Sequence, residues 1–270
     1  MASITYKTAD EIEIMRQAGR IVAEAHAAMA EAVVPGVTTK ELDTIAETVI
    51  RDHGAIPAFL DYGPGGKPPF PATITASINE ELVHGIPSDE RVLQEGDIIS
   101  LDTACFHEGY VGDAAYTYAV GEIGAGIRRL LASCEAALYA AIDASVVGNK
   151  VSDVARATQK YAASKGYSVA MEYTGHGVGQ AMHEPPQVPN WWPRKKPRPG
   201  QPFWMDYPLK PGMTFAIEPM LIAGRNELYE LDDEWTVVTK DGSLCAHFEH
   251  TVHITEDGAE ILTLLPEETV

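Results

Sequence analysis

The sequence predicts an α+β domain with a central antiparallel sheet, helices on its outer face, and two related halves. Three observations carry that expectation. Two pairs of amphipathic helices recur along the chain, hairpin-forming strands follow the first pair, and segments of one half reappear in the other at a nearly constant offset. With 270 residues, 45% of them hydrophobic, one sizeable core can form. Residues 1–270 are therefore expected to be a single domain, with halves at about 8–125 and 126–265.

The elements follow in order. Thr8-Ala9-Asp10-Glu11 is a capping box, and Ile12, Met15, Gly19, Val22, His26 and Met29 continue from it at helical spacing. Pro35-Gly36 breaks that helix. A second box, Thr38-Thr39-Lys40-Glu41, opens another that turns Leu42, Ile45, Ala46 and Ile50 inward and stops at Gly54. Residues 61–71 hold too much proline and glycine for regular structure, and Thr73 to Ile78 reads as a strand. Ile98, Ile99 and Leu101 lead into a hairpin that turns at Glu108-Gly109 and returns through Tyr116, Tyr118 and Val120. A two-residue turn there sets Asp102 opposite Ala115, so Asp113 lies diagonally from Asp102 on the same face, about 7–8 Å away.

The second half repeats this plan. Val34-Pro35-Gly36, Leu42 and Gly54 recur as Val146-Val147-Gly148, Val154 and Gly166, a shift of 112. Leu93-Gln94-Glu95-Gly96 and Asp102 recur as Leu209-Lys210-Pro211-Gly212 and Glu218, a shift of 116. Asp113, opening a return strand, is answered by Glu249 before Thr251-Val252-His253-Ile254. Joining the copies about a pseudo-twofold axis would bring all four acids together. His176, set between glycines in Gly175-His176-Gly177-Val178-Gly179, is placed to join them. Four carboxylates and one imidazole hold too much oxygen for a structural zinc site. They suit two divalent ions sharing carboxylates, as in two-metal hydrolysis.

The net charge of −19 argues against a nucleic-acid binder. Cys105, Cys134 and Cys245 follow no metal or redox spacing, and no stretch reaches membrane-spanning apolar length. With no apolar leader in the first twenty residues, a reduced, cytoplasmic chain with no membrane partner is expected.

Beyond these readings, the chain resembles the type I methionine aminopeptidases of the duplicated pita-bread fold. The resemblance rests on Ser77-Ile78-Asn79-Glu80, Val83-His84-Gly85-Ile86-Pro87, Gly112-Asp113, the glycine-flanked His176 and His183-Glu184-Pro185-Pro186-Gln187-Val188. It continues through Lys210-Pro211-Gly212-Met213-Thr214-Phe215-Ala216-Ile217-Glu218-Pro219-Met220, Glu234-Trp235-Thr236-Val237 and Phe248-Glu249-His250-Thr251. No zinc-binding extension precedes the first helix, as in the simple bacterial form. The resemblance implies a single catalytic domain that acts on nascent polypeptide N-termini and works as a monomer. It implies two divalent ions (Co, Mn, Fe or Zn), with Asp113 and Glu249 bridging, Asp102 completing one site, and His176 and Glu218 the other. Glu218 would carry the proton from attacking water to leaving amine, while His84 and His183 would contact the substrate carbonyl and scissile nitrogen. Phe59, Tyr62, Thr75, Met182 and Trp235 would line the methionine pocket.

The chain also departs from that family. Ala114-Ala115 follows the second aspartate where a hydroxyl residue is common. Phe59, Thr75 and Met182 stand where bacterial members often carry two cysteines and a phenylalanine. The Trp/Pro/basic loop at 190–199 is the one basic patch on an acidic chain, which suggests contact with the ribosome. Two alternatives stay open: a proline-directed aminopeptidase or dipeptidase of the same fold, and a non-catalytic binding homologue.

Overall fold

The computed structural model describes residues 3–194 and 204–265. Its helices start where the capping boxes place them. In α1 (Ala9–Ala32) the Thr8 N–H donates to Glu11 at 2.7 Å, and the Glu11 N–H donates back to the Thr8 hydroxyl at 3.4 Å. Thr38 and Glu41 cap α2 (Thr39–Asp52) in the same way. Gly54 follows at φ 70°, a conformation only glycine adopts freely, and its N–H closes the helix onto the Arg51 carbonyl. The second pair is α3 (Ala125–Asp143) and α4 (Val151–Ser164). Thr39 to Val151 and Asp52 to Ser164 are both steps of 112, the offset read from the sequence.

The strands of the first half are β1 (Ile56–Pro57), β2 (Ile74–Ile78), β3 (Glu81–Val83), β4 (Ile98–His107) and β5 (Tyr110–Ala119). The next are β6 (Ser168–Val169), β7 (Thr174–Gly177), β8 (Glu184–Pro189), β9 (Thr214–Ile217) and β10 (Met220–Ile222). The last are β11 (Leu228–Glu230), β12 (Val237–Thr239), β13 (Cys245–His247), β14 (Glu249–Ile254) and β15 (Ala259–Ile261). Nine of them form one sheet in the order β1-β4-β5-β14-β9-β7-β8, with β2 added on β4 and β15 on β14. Every pairing in it is antiparallel. Two three-stranded sheets, β13-β10-β6 and β11-β12-β3, complete the strands among the described residues.

The sheet's register positions the site. The hairpin β4–β5 turns at Glu108 and Gly109, both with positive φ, and pairs Asp102 with Ala115 and Ala104 with Asp113. This is the register expected from the sequence. The return strand begins at Tyr110, so Asp113 sits inside β5 and not at its start, because the tight turn adds no unpaired residues. On the far side of β5, Ala115 also pairs with Glu249. Asp102 and Glu249 therefore flank one alanine in a single cross-strand row, with Asp113 two residues along on the same face. His250 pairs with Ile217, which leaves Glu218 at the end of β9 beside Glu249. Gly177 pairs with Phe215, which brings His176 alongside.

Alternation sends the neighbours of these acids to the opposite face. Leu101, Cys105, Ala114 and Tyr116 pack with Ala18, Val22, Leu42 and Ala46 of α1 and α2. Phe215, Ile217, Val252 and Ile254 pack with Cys134, Leu138, Val151 and Val154 of α3 and α4. One helix pair thus covers each half of the sheet. The hairpin packs tightly on α1 at Gly112, where an added Cβ would lie 2.5 Å from the Gly19 nitrogen. The three cysteines are buried and unbonded to one another. No described helix is long and apolar enough to cross a membrane.

Candidate metal centre

On the face away from the helices, the five predicted ligands line one cavity of about 230 Å³. Asp113, His176 and Glu249 each offer an atom within 4.8 Å of the others, and all three are buried. His176 Nε2 lies 3.6 Å from Asp113 Oδ2 and 3.6 Å from Glu218 Oε1. The His176 ring can be oriented from its other nitrogen. A carbonyl only accepts, so at 3.1 Å from Gly177 O the Nδ1 must donate, which leaves the Nε2 lone pair aimed at the acids.

The acids are crowded and dry. Asp102 Oδ1, Asp113 Oδ1 and Glu249 Oε1 are buried with no hydrogen-bond partner. Burial first, and then the Asp113 charge, holds Asp102 well above the usual carboxylate range. Burial raises Asp113 also. Glu218 is raised by burial and by Asp102 and Asp113; Glu249 is raised by burial and by all three other acids. Asp113 and Glu249 lie so close that a proton or a cation must come between them. Such a cluster calls for positive charge, and orphaned oxygens beside an imidazole lone pair fit divalent ions of hard to borderline character. The residues present therefore suit a metal centre.

Two further predicted residues reach the same cavity. His84 is half-buried and stands edge-on to Trp235, with ring centroids 6.0 Å apart. Burial, with Lys67 and His183 nearby, pushes its pKa down to about 4, so it is neutral at pH 7. Its backbone has φ 63°, which few non-glycine residues adopt, and Gly85 follows because a Cβ there would lie 2.3 Å from the Ala76 carbonyl. His183 is likewise lowered by burial. Its Nδ1 lies 2.7 Å from the Tyr62 hydroxyl, and its ring is 4.1 Å from that of His176. Phe59, Thr75, Met182 and Trp235 line the apolar side, with Phe70 set edge-on to Trp235 at 5.1 Å. Thr75 pairs across the sheet with Asp102, so the apolar slot and the acids adjoin directly.

Of the lining residues that sequence reasoning missed, three stand directly against the predicted ones. Lys67 reaches over the Trp235 ring at 5.0 Å, and Tyr173 stands edge-on to His84 at 5.8 Å. His247 lies 3.9 Å from both Glu218 Oε2 and Glu249 Oε2. No motif marks any of them. The basic positions Lys195, Lys196 and Arg198 lie outside the described residues.

Comparisons with known proteins agree with this geometry. The model of metallopeptidase family M24 matches residues 13–256. Methionine aminopeptidase 1 of Bacillus subtilis is 48% identical over 261 residues, covering 96% of this chain and 99% of that protein. A crystal structure of methionine aminopeptidase from Rickettsia prowazekii superposes with TM-score 0.87 at 38% identity, over 97% of this chain and 100% of that one. The methionine aminopeptidase of Thermotoga maritima gives the same TM-score of 0.87 at 41% identity, over 97% of this chain and 100% of that one.

Proposed function

The chain belongs to metallopeptidase family M24, and from that premise we propose its reaction and the residues that carry it. It is a metal-dependent aminopeptidase that removes the N-terminal methionine of polypeptides. The observation that carries this reading is the cavity itself. One wall holds four carboxylates, three of them buried, and an imidazole, and the adjoining wall is an apolar slot.

Asp113 and Glu249 would each bind two ions, with Asp102 completing one site and His176 and Glu218 the other. Divalent ions there would polarise the first peptide carbonyl and acidify a water for attack at neutral pH. The metals we favour are Mn, Fe, Co or Zn, because carboxylates dominate the donor set. Glu218 takes the proton of the attacking water and returns it to the leaving amine. Its raised affinity for a proton suits it to that task. His84 and His183 are neutral and donate hydrogen bonds to the carbonyl oxygen and the scissile nitrogen. If the Tyr62 hydroxyl donates to His183 Nδ1, it leaves Nε2–H free for the substrate. Phe59, Tyr62, Met182 and Trp235 grip an unbranched thioether, and Thr75 narrows the slot beside Asp102.

We read the molecule as one catalytic domain of two related halves, 8–125 and 126–265. The matched offsets of α2 and α4 and the paired acids support this. A small second residue, a monomeric state, a cytoplasmic setting and action on nascent chains belong to the same reading. Ribosome contact rests on the basic run from Arg194 to Arg198 alone. Neutralising Arg194, Lys195, Lys196 and Arg198 should abolish salt-sensitive pelleting with ribosomes. Specificity is tested by comparing release of the first residue from Met-Ala-Ser, Met-Lys-Ser, Leu-Ala-Ser and Ala-Pro-Ala. Met-Ala-Ser should be cleaved fastest. Faster cleavage of Ala-Pro-Ala would make the chain proline-directed, and no cleavage of any would make it a binding homologue.

A further inference from the structure

His247 is the one buried histidine nitrogen without a partner among the described residues. It is 2% exposed, and its Nε2 stands 3.9 Å from Glu218 Oε2 and 3.9 Å from Glu249 Oε2. The residue is firmly held. The His247 N–H donates to the Thr117 hydroxyl at 2.8 Å, which in turn donates to the His247 carbonyl at 2.8 Å. Ser100 Oγ braces that hydroxyl at 2.8 Å, and β13 pairs His247 with Met220 of β10. With its backbone fixed this way and the outer nitrogen of its buried ring unsatisfied, His247 faces two acids as a defined target.

We infer that His247 is a positioning residue of the metal centre, whose Nε2–H faces the Glu218 and Glu249 carboxylates and guides them into their metal-binding orientation. Two carboxylates offer acceptors only, so a neutral imidazole between them must present its proton. A direct ligand would need the opposite tautomer. In His176 the Gly177 carbonyl fixes that tautomer by holding the proton on Nδ1; no described residue does so for His247. Carboxylate ligands are commonly oriented by such outer donors, whose loss weakens metal binding by about 10–100-fold.

The inference rests on Glu218 and Glu249 being metal carboxylates, and the test separates the two claims. Chelator-stripped wild type, His247→Leu, His247→Gln and His247→Asn are titrated with Mn(II) by calorimetry, and Co(II)-loaded samples are compared by visible spectroscopy. We expect two equivalents in wild type, and affinity about 10–100-fold weaker in H247L at unchanged stoichiometry. The amide of H247Q reaches the acids and restores affinity to within a few-fold, whereas H247N is too short and behaves like H247L. The glutamine–asparagine contrast keeps the test sound if H247L fails to fold. Wild-type affinity in H247L or H247N would overturn the inference alone. Loss of one equivalent in H247Q, with a changed Co(II) spectrum, would overturn it in favour of direct ligation. No binding by wild type would overturn the site reading and this inference with it.

Discussion

Removing the imidazole of His84 or His183 leaves all five proposed ligands in place. Either alanine variant should therefore bind metal normally and lose turnover by about 10²–10³, the usual effect of one donor to a developing oxyanion. Halved metal content in either would make it a ligand. Asp113→Ala and Glu249→Ala should behave oppositely, losing both ions because each carboxylate is shared; elemental analysis after dialysis against Mn(II) reads this directly. Retention of one tightly held ion would mean the residue does not bridge. The acids and His176 were legible because glycine-flanked motifs and matching strand positions mark them. His247 was not, since a lone histidine between Ala246 and Phe248 looks like a core residue until the register places it 3.9 Å from two acids.

At the scale of elements, the hairpin β4–β5 is held against α1 through Gly112, with no room for a Cβ. Gly112→Ala should destabilise the fold by about 1–3 kcal/mol through overpacking, measured by urea unfolding of the metal-free protein. An unchanged midpoint would show that the helix can move aside freely. Capping boxes and the two-residue turn made α1, α2 and this hairpin readable in advance, since each is fixed by local hydrogen bonds. The small sheets β11-β12-β3 and β13-β10-β6 were not, for the opposite reason. Their strands are two or three residues long and carry too little alternation to register, so only tertiary pairing creates them. They nonetheless carry Val83, Met220 and His247 to the cavity wall.

At the scale of the molecule, four carboxylates with raised proton affinity couple stability to pH. Their folded pKa values lie above the unfolded values of about 3.9–4.3, so their contribution is present below that range and is lost as pH rises through the folded values. The metal-free protein should therefore lose stability from this cluster as pH rises from about 5 to 8, and Mn(II) should restore it. The rise in Tm on adding Mn(II) is expected to be larger at pH 8 than at pH 5.5; a rise independent of pH would mean the ion does not displace these protons. The two-halved plan was legible through its offset of 112, while convergence of the acids needed the sheet to bring β4, β5, β9 and β14 together. The most direct test of that convergence titrates chelator-stripped protein with Mn(II) while following methionine release from Met-Ala-Ser. The account predicts no turnover without metal, recovery as ions bind, and two equivalents bound at saturation. Full turnover by metal-free protein would contradict it.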